Sequence, residues 1–153
     1  MSLGVVSLNQ ANEIVHVPDD VHEILNQFPE GSLTIILRAR NELDTRLGGD
    51  KVAVRVLSNR TAKELLSMTG PLTATSANIS GQESLLDCVE AAKSLRTVGE
   101  EVVGVDGVCE GGAPSTLIAW HTVCNSPESL SIEVIREGKV SSEEVLSWWK
   151  SRT

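Results

Sequence analysis

The chain has 153 residues, 41% of them hydrophobic and 22% charged, with 21 Asp and Glu against 13 Lys and Arg and a formal net charge of −8. That length suits a single compact domain over residues 1–153, and no apolar run approaches the ~18 residues of a membrane-spanning helix. The acidic balance disfavours nucleic acid over the chain as a whole, so any phosphate binding must come from a local basic cluster, and one Phe, three Trp and no Tyr argue against a base-stacking platform.

In chain order, the N-terminal "MSLGVVSLNQ" has neither the basic region nor the cleavage site of a secretory leader, and "LGVVSL" (3–8) has strand composition. Pro18 followed by Val21, Ile24, Leu25 and Phe28 predicts a helix opened by a proline in its first turn. The runs "LTIILR" (33–38) and "VAVRV" (52–56) predict strands, residues 61–68 a helix, and "PLTAT" (71–75) a further strand. Leu85, Val89, Ala92 and Leu95 form one stripe of a helix from Ser84 to about Leu95, with Ser84 its expected N-cap. "EVVGV" (101–105), "STLIAW" (115–120) and "SIEVIR" (131–136) predict three more strands; joined without long helices, they imply some antiparallel pairing. The chain closes on a helix in which Ser141 and Glu144 have capping-box spacing, with one of Trp148 and Trp149 expected in the core and the other half exposed. Strands alternating with helices predict an α/β fold on a mixed sheet.

Cys88, Cys109 and Cys124 share no motif spacing, which points to a reducing compartment and a cytoplasmic protein. His16, His22 and His121 form no metal motif; His121 and Cys124 read as a strand-end histidine and a core cysteine before they read as zinc ligands.

Two stretches carry candidate chemistry. "GPLTATSANISGQES" (70–84) packs hydroxyls and glycines around Asn78, which suits either a solvated loop or a cradle of hydroxyl and backbone N–H groups for a phosphorylated ligand. In "VAVRVL" alternation puts Arg55 on the same face as Ala53 and Leu57, where a charge needs either an internal ion pair or an anionic ligand.

Five segments in order resemble the YrdC-type threonylcarbamoyl-AMP synthase family: "FPEGSLTIIL" its Pro-Gly-Pro-Leu-Thr strand entry, "VAVRV" its Val-Arg-Val strand, "GPLTATSANISG" its Ser-Ala-Asn-x-Ser-Gly segment, "GGAPSTLIAW" its Pro-Ser-Thr strand, and "EVIREGKVSSEEV" its closing Arg-x-Gly segment. The resemblance implies a YrdC-like twisted open mixed sheet flanked by helices. It implies that L-threonine, bicarbonate and ATP, with Mg²⁺, are joined into threonylcarbamoyl-adenylate and pyrophosphate, the first step of the t6A37 modification of tRNA. Such chemistry asks for positioning and charge stabilisation more than for side-chain acids or nucleophiles, so no catalytic residue is assigned. Carried over by position, the resemblance assigns ATP contacts to Ser76, Asn78, Ser84, Arg136 and Lys51, and threonine contacts to Arg55, Ala74 and Ser115.

Departures from the family pattern shape a second expectation. Glu30 and Ser32 stand where the family tends to have Pro, and Thr75 where many members have Pro. The family's leading Thr-x-Thr-x-Tyr-Gly-Leu segment and its Lys-x-Arg motif have no counterpart in these 153 residues. Loss of those two basic contacts predicts ATP binding weakened ~100-fold or more, and an uncovered sheet edge predicts a homodimer or a protein partner of the t6A pathway. The alternative to a synthase is a noncatalytic module of the same fold that binds nucleotide, tRNA or double-stranded RNA. The carbamoyl-phosphate branch of the superfamily in hydrogenase maturation ranks last at this length.

Overall fold

The computed structural model describes residues 1–79, 81–96, 101–109, 111–124 and 131–152. They divide into two compact units, a larger one of Met1–Ala74 with Ala113–Thr153 and a smaller one of Thr75–Gly112.

The larger unit holds a six-stranded mixed sheet. Its strands are β1 (Ser2–Val5), β2 (Leu33–Arg38), β3 (Lys51–Val56), β4 (Leu72–Ala74), β5 (Thr116–Ala119) and β6 (Glu133–Arg136), in the spatial order β4-β1-β3-β2-β5-β6. The pairs β1–β3 and β2–β5 are parallel, and β1–β4, β2–β3 and β5–β6 are antiparallel. Its helices are α1 (Leu8–Ala11), α2 (Asp19–Gln27), α3 (Arg60–Thr69) and α5 (Ser142–Ser151), with a 3-10 turn at Thr45–Leu47.

Alternation along the strands sends Leu3, Val5, Leu33, Ile35, Leu37, Val52, Val54 and Ile118 to one face. There they form one apolar cluster with Ala11 of α1, Val21 and Ile24 of α2 and Val145 of α5. The helices that cover this face are locally well specified. Asp19 and Asp20 place negative charge in the first turn of α2, where the helix dipole favours it. At α5 the Ser141 hydroxyl accepts from Glu144 N–H at 3.2 Å while the Glu144 carboxylate accepts from Ser141 N–H at 3.0 Å, the capping box that the spacing predicts. The Ser141 hydroxyl, which donates to the Glu144 carboxylate at 2.7 Å, and then the Ser141 N–H hold that carboxyl below the usual carboxylate range.

The strand predicted over residues 3–8 stops at Val5, because Ser7 caps α1 by accepting from Gln10 N–H. Neither Trp148 nor Trp149 is in the core proper. Both are half-buried, and the fully buried tryptophan is Trp120. Trp149 packs edge-on against Trp120, with ring centroids 5.3 Å apart, and Trp148 lies 6.3 Å from Trp149. Arg152 stacks over Trp148 at 4.9 Å and pairs with Glu23 at 2.7 Å, while Trp120 Nε1 donates to Asp20, so α5 is tied to α2. His121 also meets Asp20, at 3.2 Å, and the Cys124 thiol donates to the carbonyl of Trp120.

In the smaller unit, α4 (Cys88–Leu95) begins four residues later than predicted. Asp87 is its N-cap and accepts from both Val89 and Glu90 N–H; Ser84 lies before the helix, since a carboxylate that reaches two orphan donors is the better cap. Residues 101–105 form no strand. Val103 and Val105 are exposed there, and an isolated bridge of Asp87 with Val108 replaces the expected pairing. No helix among the described residues is long and apolar enough to cross a membrane.

Candidate functional site

The sheet face opposite the apolar cluster collects five of the eight candidate residues. Register places Gly4 beside both Arg55 and Leu72, Ser2 beside Ala74, and Leu117 beside both Thr34 and Arg136. Continuing the alternation puts Lys51, Arg55, Ala74, Ser115 and Arg136 on this one face, together with Thr34.

At its centre lie two guanidinium groups close enough to feel one another. Arg55 Nε and Nη2 donate to the Gly31 carbonyl at 3.0 and 2.8 Å, and Arg136 Nη2 donates to the Ser115 carbonyl at 2.8 Å. Burial, and then the positive charge of Arg136, push Arg55 below the ordinary arginine range, yet a guanidinium stays cationic at neutral pH. Neither pairs with a carboxylate among the described residues, whereas Arg38, Arg46, Arg60 and Arg152 all do. In an acidic chain, two neighbouring cations held on backbone carbonyls without a counter-ion make a site that favours an anion.

Beside them the Thr34 and Ser115 hydroxyls, both buried, lie 2.7 Å apart. Two residues before Thr34 the Ser32 hydroxyl is buried with no partner among the described residues, although Ser32 N–H donates to the Pro29 carbonyl. Gly4 keeps the neighbouring strand low: a side chain there would meet Leu57 Cδ1 at 3.0 Å and Ala74 Cβ at 3.5 Å. Lys51 is not part of the pair, because four residues along a strand carry it ~13 Å from Arg55.

Ser76, Asn78 and Ser84 belong to the smaller unit, where Asn78 and Ser84 build one turn. The Asn78 amide donates to the carbonyls of Ile79 and Gln82 at 3.0 and 2.8 Å, and its oxygen accepts from the Ser84 hydroxyl at 3.3 Å. Gly81, at φ 86°, supplies the left-handed residue that the turn requires. Ser84 therefore steadies Asn78 and does not open a helix, which removes the helix-dipole argument for a phosphate at that hydroxyl. Ser76 is exposed.

Sequence reading alone missed Thr34 and the Gly31 carbonyl. The signal for Thr34 was present, as a hydroxyl in the apolar run "LTIILR", but its partner lies 81 residues away.

The Sua5_yciO_yrdC family model, described as "Telomere recombination", matches residues 1–138. A Methanocaldococcus jannaschii protein named "Putative threonylcarbamoyl-AMP synthase" is 32% identical over 118 residues, covering 77% of this chain and 56% of that protein. A Mycobacterium leprae protein of the same name is 32% identical over 127 residues, covering 82% and 54%. The chain thus spans about half the length of the curated relatives it matches. Among solved structures, P. abyssi Sua5 complexed with L-threonine superposes with a TM-score of 0.75 at 26% identity, covering 94% of this chain and 41% of that one. E. coli YciO superposes at 0.70 with 23% identity, covering 95% and 69%, a likeness of fold.

Proposed function

The chain belongs to the Sua5/YciO/YrdC family, and from that premise we propose that it binds L-threonine and ATP as the body of a threonylcarbamoyl-AMP synthase, acting in t6A formation on tRNA. The observation that carries this reading is the Arg55–Arg136 pair, uncompensated by any carboxylate among the described residues and set beside the Thr34–Ser115 hydroxyls.

In this reading the threonine carboxylate takes the place of the missing counter-ion at Arg55, with Ser115 and the backbone near Ala74 lining its pocket. Arg136 faces the nucleotide, while the assignment of phosphate contacts to Ser76, Asn78 and Ser84 rests on the family's Ser-Ala-Asn-x-Ser-Gly motif. Lys51 stands farther along the strand as an outer cation. The threonine amine attacks bicarbonate, water leaves, and the resulting carbamate oxygen displaces pyrophosphate from the α-phosphorus of ATP. The protein's share is to hold the two reactants and to offset developing negative charge. A Mg²⁺ accompanying ATP would be held chiefly by the nucleotide's own phosphates.

Calorimetric titration with L-threonine tests the binding half, and threonine- and bicarbonate-dependent pyrophosphate release from ATP tests the chemistry. Threonine binding that disappears in Arg55→Ala is the expected result. Binding without turnover would make this chain a ligand-holding module of the same fold, and no binding of either ligand would overturn the site.

A further inference from the structure

After Arg136 the chain does not leave the site but folds back along the start of β5. Lys139 N–H donates to the Pro114 carbonyl at 2.8 Å. The Thr116 hydroxyl, fully buried, donates to the Val140 carbonyl at 2.5 Å and accepts from the N–H groups of Gly138 at 3.0 Å and Val140 at 3.1 Å. One donor and two acceptors are all that a hydroxyl has, so this one is saturated by three backbone groups of a single short segment. Gly138 makes the approach possible. A Cβ there would lie 2.1 Å from the Pro114 carbonyl oxygen and 2.8 Å from the Ser115 carbonyl carbon, so what this position requires is space.

The arrangement works from behind the site. Thr116 pairs with Leu33 and faces the apolar cluster, while its neighbour Ser115 and Arg136, opposed to Leu117, face the other side of the sheet. Arg136 in turn rests on the Ser115 carbonyl. Val140, at the far end of the clasped segment, is buried in the apolar cluster and leads directly into the cap of α5.

We propose that Thr116 is the positioning residue of this site: its hydroxyl fixes the Glu137–Val140 return against Pro114–Thr116, and so sets the pose of Arg136 and Ser115 toward their ligands. Nothing in the ligand need touch it. The inference rests on the reading that Arg136 and Ser115 face ligand, but the clasp itself can be tested without one.

The informative pair is Thr116→Val, which keeps the shape and removes the hydroxyl, and Thr116→Ser, which restores it. Without ligand, Thr116→Val should speed amide hydrogen exchange at Gly138, Lys139 and Val140 by about tenfold or more and shift the Arg136 Nε–H resonance, while Thr116→Ser resembles the wild type. With ligand, Thr116→Val should weaken ATP binding about tenfold, through misplacement of Arg136, at a temperature where both variants are folded. Thr116→Ser should stay within about twofold. A folded Thr116→Val with unchanged exchange and an unshifted Arg136 signal overturns the clasp. Altered exchange with unchanged ATP affinity overturns its positioning role. Should the wild type bind no ATP, the functional reading fails and the ligand-free measurement alone decides the clasp. Should Thr116→Val not fold, Gly138→Ala takes its place: it keeps the hydroxyl but pushes the return away from Pro114, so an unmoved Arg136 signal in that variant overturns the proposal.

Discussion

On one face of the sheet Leu33, Ile35, Leu37, Val52 and Val54 are 5% exposed or less and belong to one apolar cluster. On the other, Arg55 of β3 and Arg136 of β6 lie within electrostatic reach of one another, and the Ser32 hydroxyl is buried without a partner among the described residues. The packed face satisfies its groups within the fold. The opposite face holds positive charge that no carboxylate among the described residues balances, so substitutions on the two faces should fail in different assays.

The largest effect is expected on the packed side. Trp120→Ala removes a fully buried ring and its hydrogen bond to Asp20, and should cost about 3–5 kcal/mol in urea unfolding. If the two faces are as distinct as they look, the ligand affinity of the molecules that remain folded should change little. Arg55→Ala is the opposite case. Threonine affinity should fall about 100-fold, while stability moves by less than about 1 kcal/mol, since the lost bonds to Gly31 are offset by relief from Arg136. A stability loss above about 2 kcal/mol would make Arg55 a strut of the fold and erase the contrast.

Ser32→Ala sharpens the same comparison from the other direction. Removing an unpaired buried hydroxyl should raise stability by about 1 kcal/mol, visible as a few degrees in Tm, without weakening ligand binding. A destabilised variant would mean that Ser32 has found a partner the fold does not otherwise show.

The smallest effect lies at the start of α5. Glu144 and Glu137 are both held below the usual carboxylate range, Glu144 first by the Ser141 hydroxyl and Glu137 first by the Ser142 N–H. A depressed folded value means stability that is present above the unfolded value and lost as pH falls through the folded one. Glu144→Gln should therefore lower Tm slightly at neutral pH, and its gap to the wild type should close as the pH is taken down from about 5. A gap that widens on acidification would refute the assignment.

What the sequence made legible follows from how local each cause is. The apolar runs of β2 and β3, the helix after Pro18 and the capping box of α5 depend on neighbours within a few residues, and each forms where its pattern indicates. The face shared by Arg55, Ala74, Ser115 and Arg136 was half legible: alternation gave the orientation of Arg55, but only register across β1, β2 and β5 brings the others beside it. The helix α1 was readable from Ser7 and Gln10, which have the capping spacing, yet the strand-like run through Leu8 masked it. Ser84 failed as a cap because Asp87, three residues on, competes for the same orphan N–H groups. The apolar run 101–105 failed as a strand because composition cannot supply a partner strand.

The three tryptophans of the chain stand in one cluster, where Trp120 meets α5. Intrinsic fluorescence is therefore a local gauge of that junction and is blind to distant parts of the molecule. Melting curves from fluorescence and from far-ultraviolet circular dichroism should coincide if the C-terminal helix leaves together with the sheet, and separate if it peels away first. The protein thus carries its own built-in reporter of whether unfolding is a single event.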